Sequence, residues 1–241
     1  MFHNPVFCAI DTADLQKAMI LASCLDGLVG GLKLGIEFFS TNGLDGVRAI
    51  IKFGLPLFLD LKFHDIPNSV AGAIRSIVRL KPTMITVHSC GGYEMMVAAV
   101  NASSSASVEY GVMRPKLLAV TVLTSMNQSD LKQSGVDRKL IDQVKCLTTL
   151  AQEANVDGVV CSPHELEILR SYCDSDFLLV TPGIRPVWTM IDDQKRTLTP
   201  IEALNKGADI LVIGRPITAA NDPKIAAKMI CDELIGIKND Y

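Results

Sequence analysis

The chain has 241 residues and a mass of 26.1 kDa, a length that suits one α/β barrel. Hydrophobic residues make up 49% of it, the formal net charge is −3 and the pI is about 5.8, so no basic surface is predicted for a nucleic acid or an anionic membrane. No signal segment opens the chain, and no apolar run approaches the roughly 18 residues of a membrane span. We therefore expect a cytoplasmic protein.

Metal and disulfide chemistry have little support in the sequence. Seven cysteines are spaced irregularly and form no C-x-x-C pair, and four histidines form no H-x-x-x-H pair. An odd number of irregularly spaced cysteines is typical of reduced thiols rather than of a disulfide framework or a structural zinc site. We expect no disulfide and no metal site.

Apolar runs rich in β-branched residues alternate with helical patterns along the whole chain. The runs lie at 5–10, 30–34, 56–61, 84–88, 116–123, 157–161, 177–181 and 209–213. The helical patterns cover Asp14–Cys24, Leu44–Phe53, Asn68–Leu80, Tyr93–Ala102, Arg138–Glu153, Pro163–Tyr172, Pro200–Lys206 and Pro223–Ile235. Such alternation predicts parallel strands joined by right-handed crossovers. A single (β/α)8 TIM barrel over residues 1–241 is the expected fold, and a doubly wound open sheet is the alternative. Residues 102–107 are interpreted as a helix end and surface loop.

Charged residues interrupt the third apolar run, in the segment Asp60-Leu-Lys62-Phe-His-Asp65. In a regular strand, side chains two residues apart project to the same face, so Asp60 and Lys62 should lie side by side. Burying a carboxylate and an ammonium group costs several kcal/mol each unless the two pair well or take part in chemistry. A structural ion pair would explain Asp60 and Lys62 alone; the added Asp65 favours an active site.

A barrel carries its active site at the carboxyl ends of its strands, and polar residues gather there in this sequence. These residues are Asp11, Lys33, Asp60, Lys62, His88, Thr124, Thr181, Pro182, Gly183, Gly214 and Arg215. Two acids and two ammonium groups at one end of a barrel are hard to explain by stability, because each must overcome its own desolvation. This set predicts a catalytic site.

An anion site is predicted after the last two strands. Gly214-Arg215-Pro216 ends one strand, and a glycine followed by a helical turn and a guanidinium group suits a phosphate. The segment Thr181-Pro-Gly-Ile-Arg185-Pro opens a connection of nearly twenty residues that runs to Thr199. Long connections without helix or strand pattern are usually functional in compact domains. A mobile surface loop is the alternative to a phosphate-gripping lid.

Four motifs together resemble the orotidine 5′-monophosphate decarboxylase family, and the similarity extends from Asp11 to the last helix. They are Asp60-Leu-Lys62-Phe-His-Asp65-Ile-Pro-Asn-Ser69, Thr181-Pro-Gly-Ile-Arg-Pro186, Asp192-Asp-Gln-Lys-Arg196 and Ile213-Gly-Arg-Pro216. The D-x-K-x-x-D part of the first motif is by itself shared with sugar-phosphate decarboxylases and aldol-type enzymes on related barrels, whereas the combination of motifs is more specific. Ser69 stands where the family usually has Thr, and no role is attached to Cys90.

The resemblance implies a carboxy-lyase of pyrimidine biosynthesis that converts orotidine 5′-monophosphate to UMP without a metal or cofactor. Lys62 would stabilise the carbanion at C6 of the pyrimidine and protonate it. Asp60, Asp65 and Lys33 would keep Lys62 charged and oriented.

The resemblance also implies the binding residues. Asp11 and Lys33 would contact the ribose, Asp60 would lie near the substrate carboxylate, and Thr124 would contact the pyrimidine edge. The phosphate would be bound by Arg185, Gly214 and Arg215, with Gln194 joining when the lid closes. Ile66, Ser69 and Pro182 complete the predicted set.

The family resemblance further implies a homodimer in which Asp65 and Ser69 reach the partner's site. Two other functions stay open. A magnesium-dependent 3-keto-sugar-phosphate decarboxylase or hexulose-phosphate synthase would need additional carboxylate ligands, for which Glu37 is the candidate. A catalytically silent phosphosugar-binding barrel would be expected to lack Lys62 or one of the aspartates.

Overall fold

Eight parallel strands form a closed barrel in the order β1 to β8, which confirms the predicted (β/α)8 fold. The computed structural model describes residues 4–189 and 198–238, with backbone alone at 235–238. The strands are β1 (Val6–Ile10), β2 (Gly31–Gly35), β3 (Leu57–Phe63), β4 (Met84–His88), β5 (Lys116–Val120), β6 (Gly158–Val160), β7 (Leu178–Pro182) and β8 (Ile210–Ile213).

Helices connect the strands, as the parallel pairing requires. They are α1 (Leu15–Cys24), α2 (Ile36–Ile51), α3 (Pro67–Val78), α4 (Tyr93–Tyr110), α5 (Gln128–Gln133), α6 (Leu140–Glu153), α7 (Leu166–Arg170), α8 (Pro200–Asn205), α9 (Arg215–Thr218) and α10 (Pro223–Lys238). Short 3-10 helices cover Ser89–Gly91, Pro163–Glu165 and Val187–Thr189. Among the residues described, no helix is both long and apolar enough to cross a membrane.

The chain divides into two compact units, and both boundaries fall within strands. The first unit comprises Met1–Leu61 with Thr181–Tyr241, and the second comprises Lys62–Val180. In the first unit, strand β1 pairs with β2 and with β8, and β2 pairs with β3. In the second unit, β5 pairs with β4 and with β6. Single-domain organisation stays a prediction.

The first unit has an apolar interior built by alternate strands. Phe7 is fully buried and meets the ring of Phe58 edge-on, with the ring centroids 6.5 Å apart. Close packing leaves no room for a side chain at Gly31, where a Cβ atom would meet the Phe7 ring. Apolar burial of this kind stabilises the strands whose carboxyl ends carry polar residues.

Two helix predictions need correction. Helix α2 begins at Ile36 directly after β2, not at Leu44, and it is kinked at Gly43, which has a φ of +56°. The interpretation of 102–107 as a helix end and loop is wrong, because α4 continues to Tyr110 and ends at the left-handed Gly111. Ala102, Ser103, Ala106 and Ser107 of this stretch are buried, and α4 packs against α3. Helix α5 was not predicted.

Candidate active site

Three predicted site residues of the first unit form one charged network. The Nζ atom of Lys33 lies 3.3 Å from Oδ1 of Asp11 and 3.2 Å from Oδ2 of Asp60. The side chains of Lys33 and Asp60 are only 10% and 12% exposed, whereas that of Asp11 is 57% exposed. A buried ammonium group thus lies between two carboxylates, one of them open to solvent. This arrangement offers hydrogen-bonding groups to a polar ligand.

Strand register explains how these side chains meet. Lys33 lies beside Ala9 of β1 and Phe58 of β3, and Gly35 lies beside Asp60. A Cβ atom on Gly35 would lie 3.1 Å from Oδ1 of Asp11 and 3.3 Å from Nζ of Lys33. Glycine at this strand end therefore leaves room for the ion pair.

Lys62 has an unusual backbone conformation at the end of β3, with a φ of +50°. A left-handed conformation costs a residue with a Cβ atom roughly 1–2 kcal/mol, and such strain concentrates at functional sites. Its backbone N–H donates to the Thr86 hydroxyl at 2.9 Å. The prediction that Asp60 and Lys62 share a face assumed a regular strand, and the backbone at Lys62 departs from that regularity.

Two histidines accompany Lys62 in the second unit. The rings of His64 and His88 are stacked with centroids 5.4 Å apart. Burial, His64 and the Lys62 ammonium group together lower the pKa of His88, which favours the neutral imidazole at neutral pH. Its Nδ1 atom accepts the N–H of Cys90 at 3.4 Å. His88 was predicted to lie among the polar residues at the strand ends, but it was given no individual role.

The segment after β3 is exposed from His64 to Ser69. Oδ1 of Asp65 accepts the N–H of Ile66 at 2.7 Å, and Ile66 is 67% exposed despite its apolar side chain. Ser69 lies in the first turn of α3, where its N–H donates to the carbonyl of Ile66. Asp65, Ile66 and Ser69 thus form an outward-facing surface of the second unit.

Two guanidinium groups of the first unit influence each other. Burial, and then the positive charge of Arg215, lower the pKa of Arg185, so these like charges lie close enough to repel. Arg215 is exposed at the start of α9, directly after Gly214. Pro182 ends β7, and Gly183 follows with a φ of +79°. A pair of arginine side chains that repel each other is suited to an anion.

The remaining predicted residues lie on turns or outside the described ranges. Thr124 is exposed in a turn after β5. Glu37 is exposed in the first turn of α2. Gln194 and the middle of the predicted lid lie outside the described residues. The two ends of this connection are joined by a hydrogen bond from the N–H of Arg185 to the carbonyl of Leu198. Within 4–189 and 198–238, no three His, Cys, Asp or Glu side chains form a group suited to a metal ion.

Sequence reasoning overlooked Thr86 and Gly35. Thr86 could have been identified from the sequence, because it is a polar residue in the middle of an otherwise apolar run from Met84 to Val87. Gly35 directly follows the run predicted at 30–34, and a glycine there could equally have marked an ordinary turn.

The sequence matches the family described as Orotidine 5'-phosphate decarboxylase / HUMPS family over residues 4–230. It is 54% identical to Orotidine 5'-phosphate decarboxylase of Rhodospirillum rubrum over 237 residues, covering 98% of this chain and 96% of the relative. It is 53% identical to the enzyme of the same name from Paramagnetospirillum magneticum, covering 96% and 98%. The crystal structure of Orotidine 5'-phosphate decarboxylase from Lactobacillus acidophilus is similar with a TM-score of 0.84 and 38% identity, covering 95% and 98%.

Proposed function

Because this chain belongs to the orotidine 5′-phosphate decarboxylase / HUMPS family, we propose that it is a carboxy-lyase that converts orotidine 5′-monophosphate to UMP without a metal or cofactor. The observation that carries the proposal is the end of β3. Asp60 is buried there against the Lys33 ammonium group, and Lys62, two residues on, has a strained backbone. Relatives more than half identical that are named for this decarboxylation support it.

Lys62 is the catalytic residue of the proposed mechanism. The bond between C6 of the pyrimidine and its carboxylate breaks, CO2 leaves, and the electron pair stays on C6. An ammonium group beside C6 stabilises that charge and then transfers a proton to the carbon. Fixed charge is needed because the electron pair lies in the ring plane, where the π system cannot delocalise it.

Carboxylates around Lys62 orient it in this mechanism. Asp60 acts from the same strand and Asp65 from the corresponding loop of the second subunit of a homodimer, while Lys33 neutralises part of the charge on Asp60 at 3.2 Å. Charges that are already positioned need little reorganisation during the reaction, which is the main source of electrostatic catalysis.

Substrate binding is assigned to the other polar residues. Asp11 and Lys33 bind the ribose hydroxyls. The Asp11 carboxylate is 57% exposed and lies 3.3 Å from the Lys33 ammonium group, so both groups can form hydrogen bonds with a sugar. Arg185, Arg215 and Gly214 bind the phosphate, with Pro182 nearby on β7. Thr124 contacts the pyrimidine edge. Phosphate binding then supplies energy that orients the reacting ring.

We propose a homodimer in which Asp65 and Ser69 enter the partner's site. The exposed run from His64 to Ser69 supports this arrangement, since it presents a carboxylate and the apolar side chain of Ile66 to solvent. An apolar side chain 67% exposed next to polar groups is suited to a protein interface.

The direct test is decarboxylation of orotidine 5′-monophosphate by the purified protein in excess chelator. We expect loss of the substrate's ultraviolet absorbance, with UMP identified by mass. Lys62→Ala should abolish turnover and still bind UMP, because the phosphate and ribose contacts lie elsewhere. Lys81→Ala is a matched control, since Lys81 also has a positive φ of +56° but lies before β4, away from the strand ends that carry the site.

Two outcomes would contradict the proposal. Activity that chelator abolishes and magnesium restores would favour the keto-sugar-phosphate alternatives, for which Glu37 would be examined as a ligand. Absence of turnover combined with tight UMP binding would indicate a silent phosphosugar-binding barrel.

A further inference from the structure

Thr86 is a buried hydroxyl residue in the middle of β4. It is 0% exposed, and its neighbours Ile85 and Val87 are fully buried aliphatic residues. A hydroxyl group in such surroundings is costly unless it makes a hydrogen bond. Its Oγ1 atom accepts the backbone N–H of Lys62 at 2.9 Å. This side chain therefore contacts the backbone of the residue on which the proposed chemistry depends.

Lys62 needs such a contact because its conformation is unfavourable by itself. Residues with a positive φ persist where surrounding structure constrains them, and Lys62 has a φ of +50°. The hydrogen bond from Lys62 N–H to a side chain on a buried strand anchors the peptide group immediately before its Cα atom. The position of that peptide group determines where the long lysine side chain starts.

We propose that Thr86 is a positioning residue for Lys62, an inference that rests on the proposed function. The Thr86 hydroxyl accepts the Lys62 amide proton and so holds Lys62 in the left-handed conformation from which its ammonium group is directed at the substrate. Thr86 touches neither the substrate nor the reacting carbon in this proposal. Its effect should therefore appear in turnover rather than in nucleotide binding.

Thr86→Val tests the proposal, because valine has nearly the same shape but no acceptor. An ångström-scale displacement of a catalytic group can reduce the rate about 100-fold. We expect kcat for orotidine 5′-monophosphate to fall roughly 10- to 100-fold, with less than about a threefold change in KM and in the Kd for UMP. Thr86→Ser keeps the acceptor and should restore most of kcat.

A matched control separates positioning from the general effect of deleting a buried hydroxyl. Thr148 is 0% exposed in α6, where its hydroxyl donates to the carbonyl of Val144 at 2.9 Å. Thr148→Val also loses a buried hydroxyl but should leave kcat unchanged.

The amide exchange of Lys62, followed by NMR, gives a readout that does not depend on substrate. It should be faster in Thr86→Val than in wild type or Thr86→Ser.

The outcomes distinguish this inference from the proposed function. An inactive wild-type protein would refute the decarboxylase function, and the exchange of the Lys62 amide would still test the contact. An active wild type together with an equally active Thr86→Val would overturn the inference alone. So would unchanged exchange at Lys62, a loss in kcat that Thr86→Ser fails to restore, or an equal loss in Thr148→Val.

Discussion

Lys62, on which the proposed chemistry depends, carries its ammonium group on a left-handed backbone with a φ of +50°. A lysine between Asp60 and Asp65 in an apolar run could be identified from composition and spacing. The φ of +50° could not, because only glycine and, less often, asparagine or aspartate signal a left-handed residue in sequence. For the same reason the contact with Thr86 could not be anticipated, since it links residues 24 positions apart.

The strain at Lys62 predicts an unusual order of stability between two inactive variants. Lys62→Gly should be more stable than Lys62→Ala by about 0.5–1 kcal/mol, since glycine adopts a positive φ without a Cβ clash. Urea unfolding of both proteins measures the difference. The same order is expected for Lys81→Gly and Lys81→Ala, because Lys81 has a φ of +56°. A more stable Lys62→Ala would show that its backbone is not strained.

Arg215 offers a separate test at the anion site. Arg215→Ala should reduce kcat/KM for orotidine 5′-monophosphate roughly 10- to 150-fold, because a charge-assisted hydrogen bond to phosphate is lost. This corresponds to a loss of about 1.5–3 kcal/mol of transition-state stabilisation. The effect should disappear with orotidine, which has no phosphate. Arg79→Ala is the control, because Arg79 is an exposed arginine at the end of α3. An equal loss with orotidine would contradict phosphate binding by Arg215.

At the scale of elements, strands were predicted more accurately than helices. Strand β4 was predicted at its observed bounds, because an apolar run between charged and glycine-rich segments marks a buried strand. The helical pattern predicted at Leu44–Phe53 covers the part of α2 after the kink at Gly43 and misses the part before it. The pattern predicted for α4 stopped at Ala102, because a serine-rich stretch resembles a loop. The glycine at position 43 does interrupt the helical backbone, whereas in α4 burial of small side chains accompanies a helix that local propensity alone does not favour.

The capping box after β6 makes stability depend on pH. The Glu165 side chain is buried at 6% exposure and accepts the N–H of Ser162 at 2.8 Å. Burial raises the pKa of Glu165 from 4.5 to about 7, although the Ser162 hydrogen bond opposes the change. A raised folded-state pKa means that the folded protein binds the proton more tightly than the unfolded chain. Proton binding by Glu165 therefore stabilises the folded protein. This contribution is fully present below pH 4.5 and is lost as pH rises through about 7.

Glu165→Gln should remove that dependence, because the amide does not titrate but can still accept the Ser162 N–H. The free energy of unfolding of wild type relative to Glu165→Gln should decrease between pH 5 and pH 8, by as much as ~3 kcal/mol. Chemical denaturation at several pH values measures it. Glu167→Gln controls for removing an exposed charge from the same region. A constant difference across this range would contradict a raised pKa at Glu165.

At the scale of the whole molecule, the alternation of runs predicted parallel strands with helical crossovers, and the eight such units favoured the closed barrel over a doubly wound open sheet. The position of polar residues at strand ends then indicated the site. The shared position at strand ends was enough to group Asp11, Lys33 and Asp60, which the structure brings into one network. Sequence could not indicate the exposure of Asp65, which depends on how the chain leaves β3.

The last prediction concerns the oligomer, where Asp65 is proposed to act on the partner's Lys62. Asp65 follows the end of β3 in an exposed segment, and its carboxylate accepts the N–H of Ile66, itself 67% exposed. We therefore expect Lys62→Ala and Asp65→Ala to be inactive separately and to complement each other when mixed. In a mixed dimer, one site then receives both native residues and the other receives neither.

Symmetry fixes the size of that recovery. Random reassociation of equal amounts makes half of the dimers mixed, and one site in each mixed dimer is native, so activity should return to about a quarter of wild type. Mass spectrometry of the intact dimers should verify that mixed species have formed. If Asp65 acts within its own subunit, no native site can form, and activity stays at the mean of the two inactive variants. Mixed dimers without recovered activity would therefore refute the shared site.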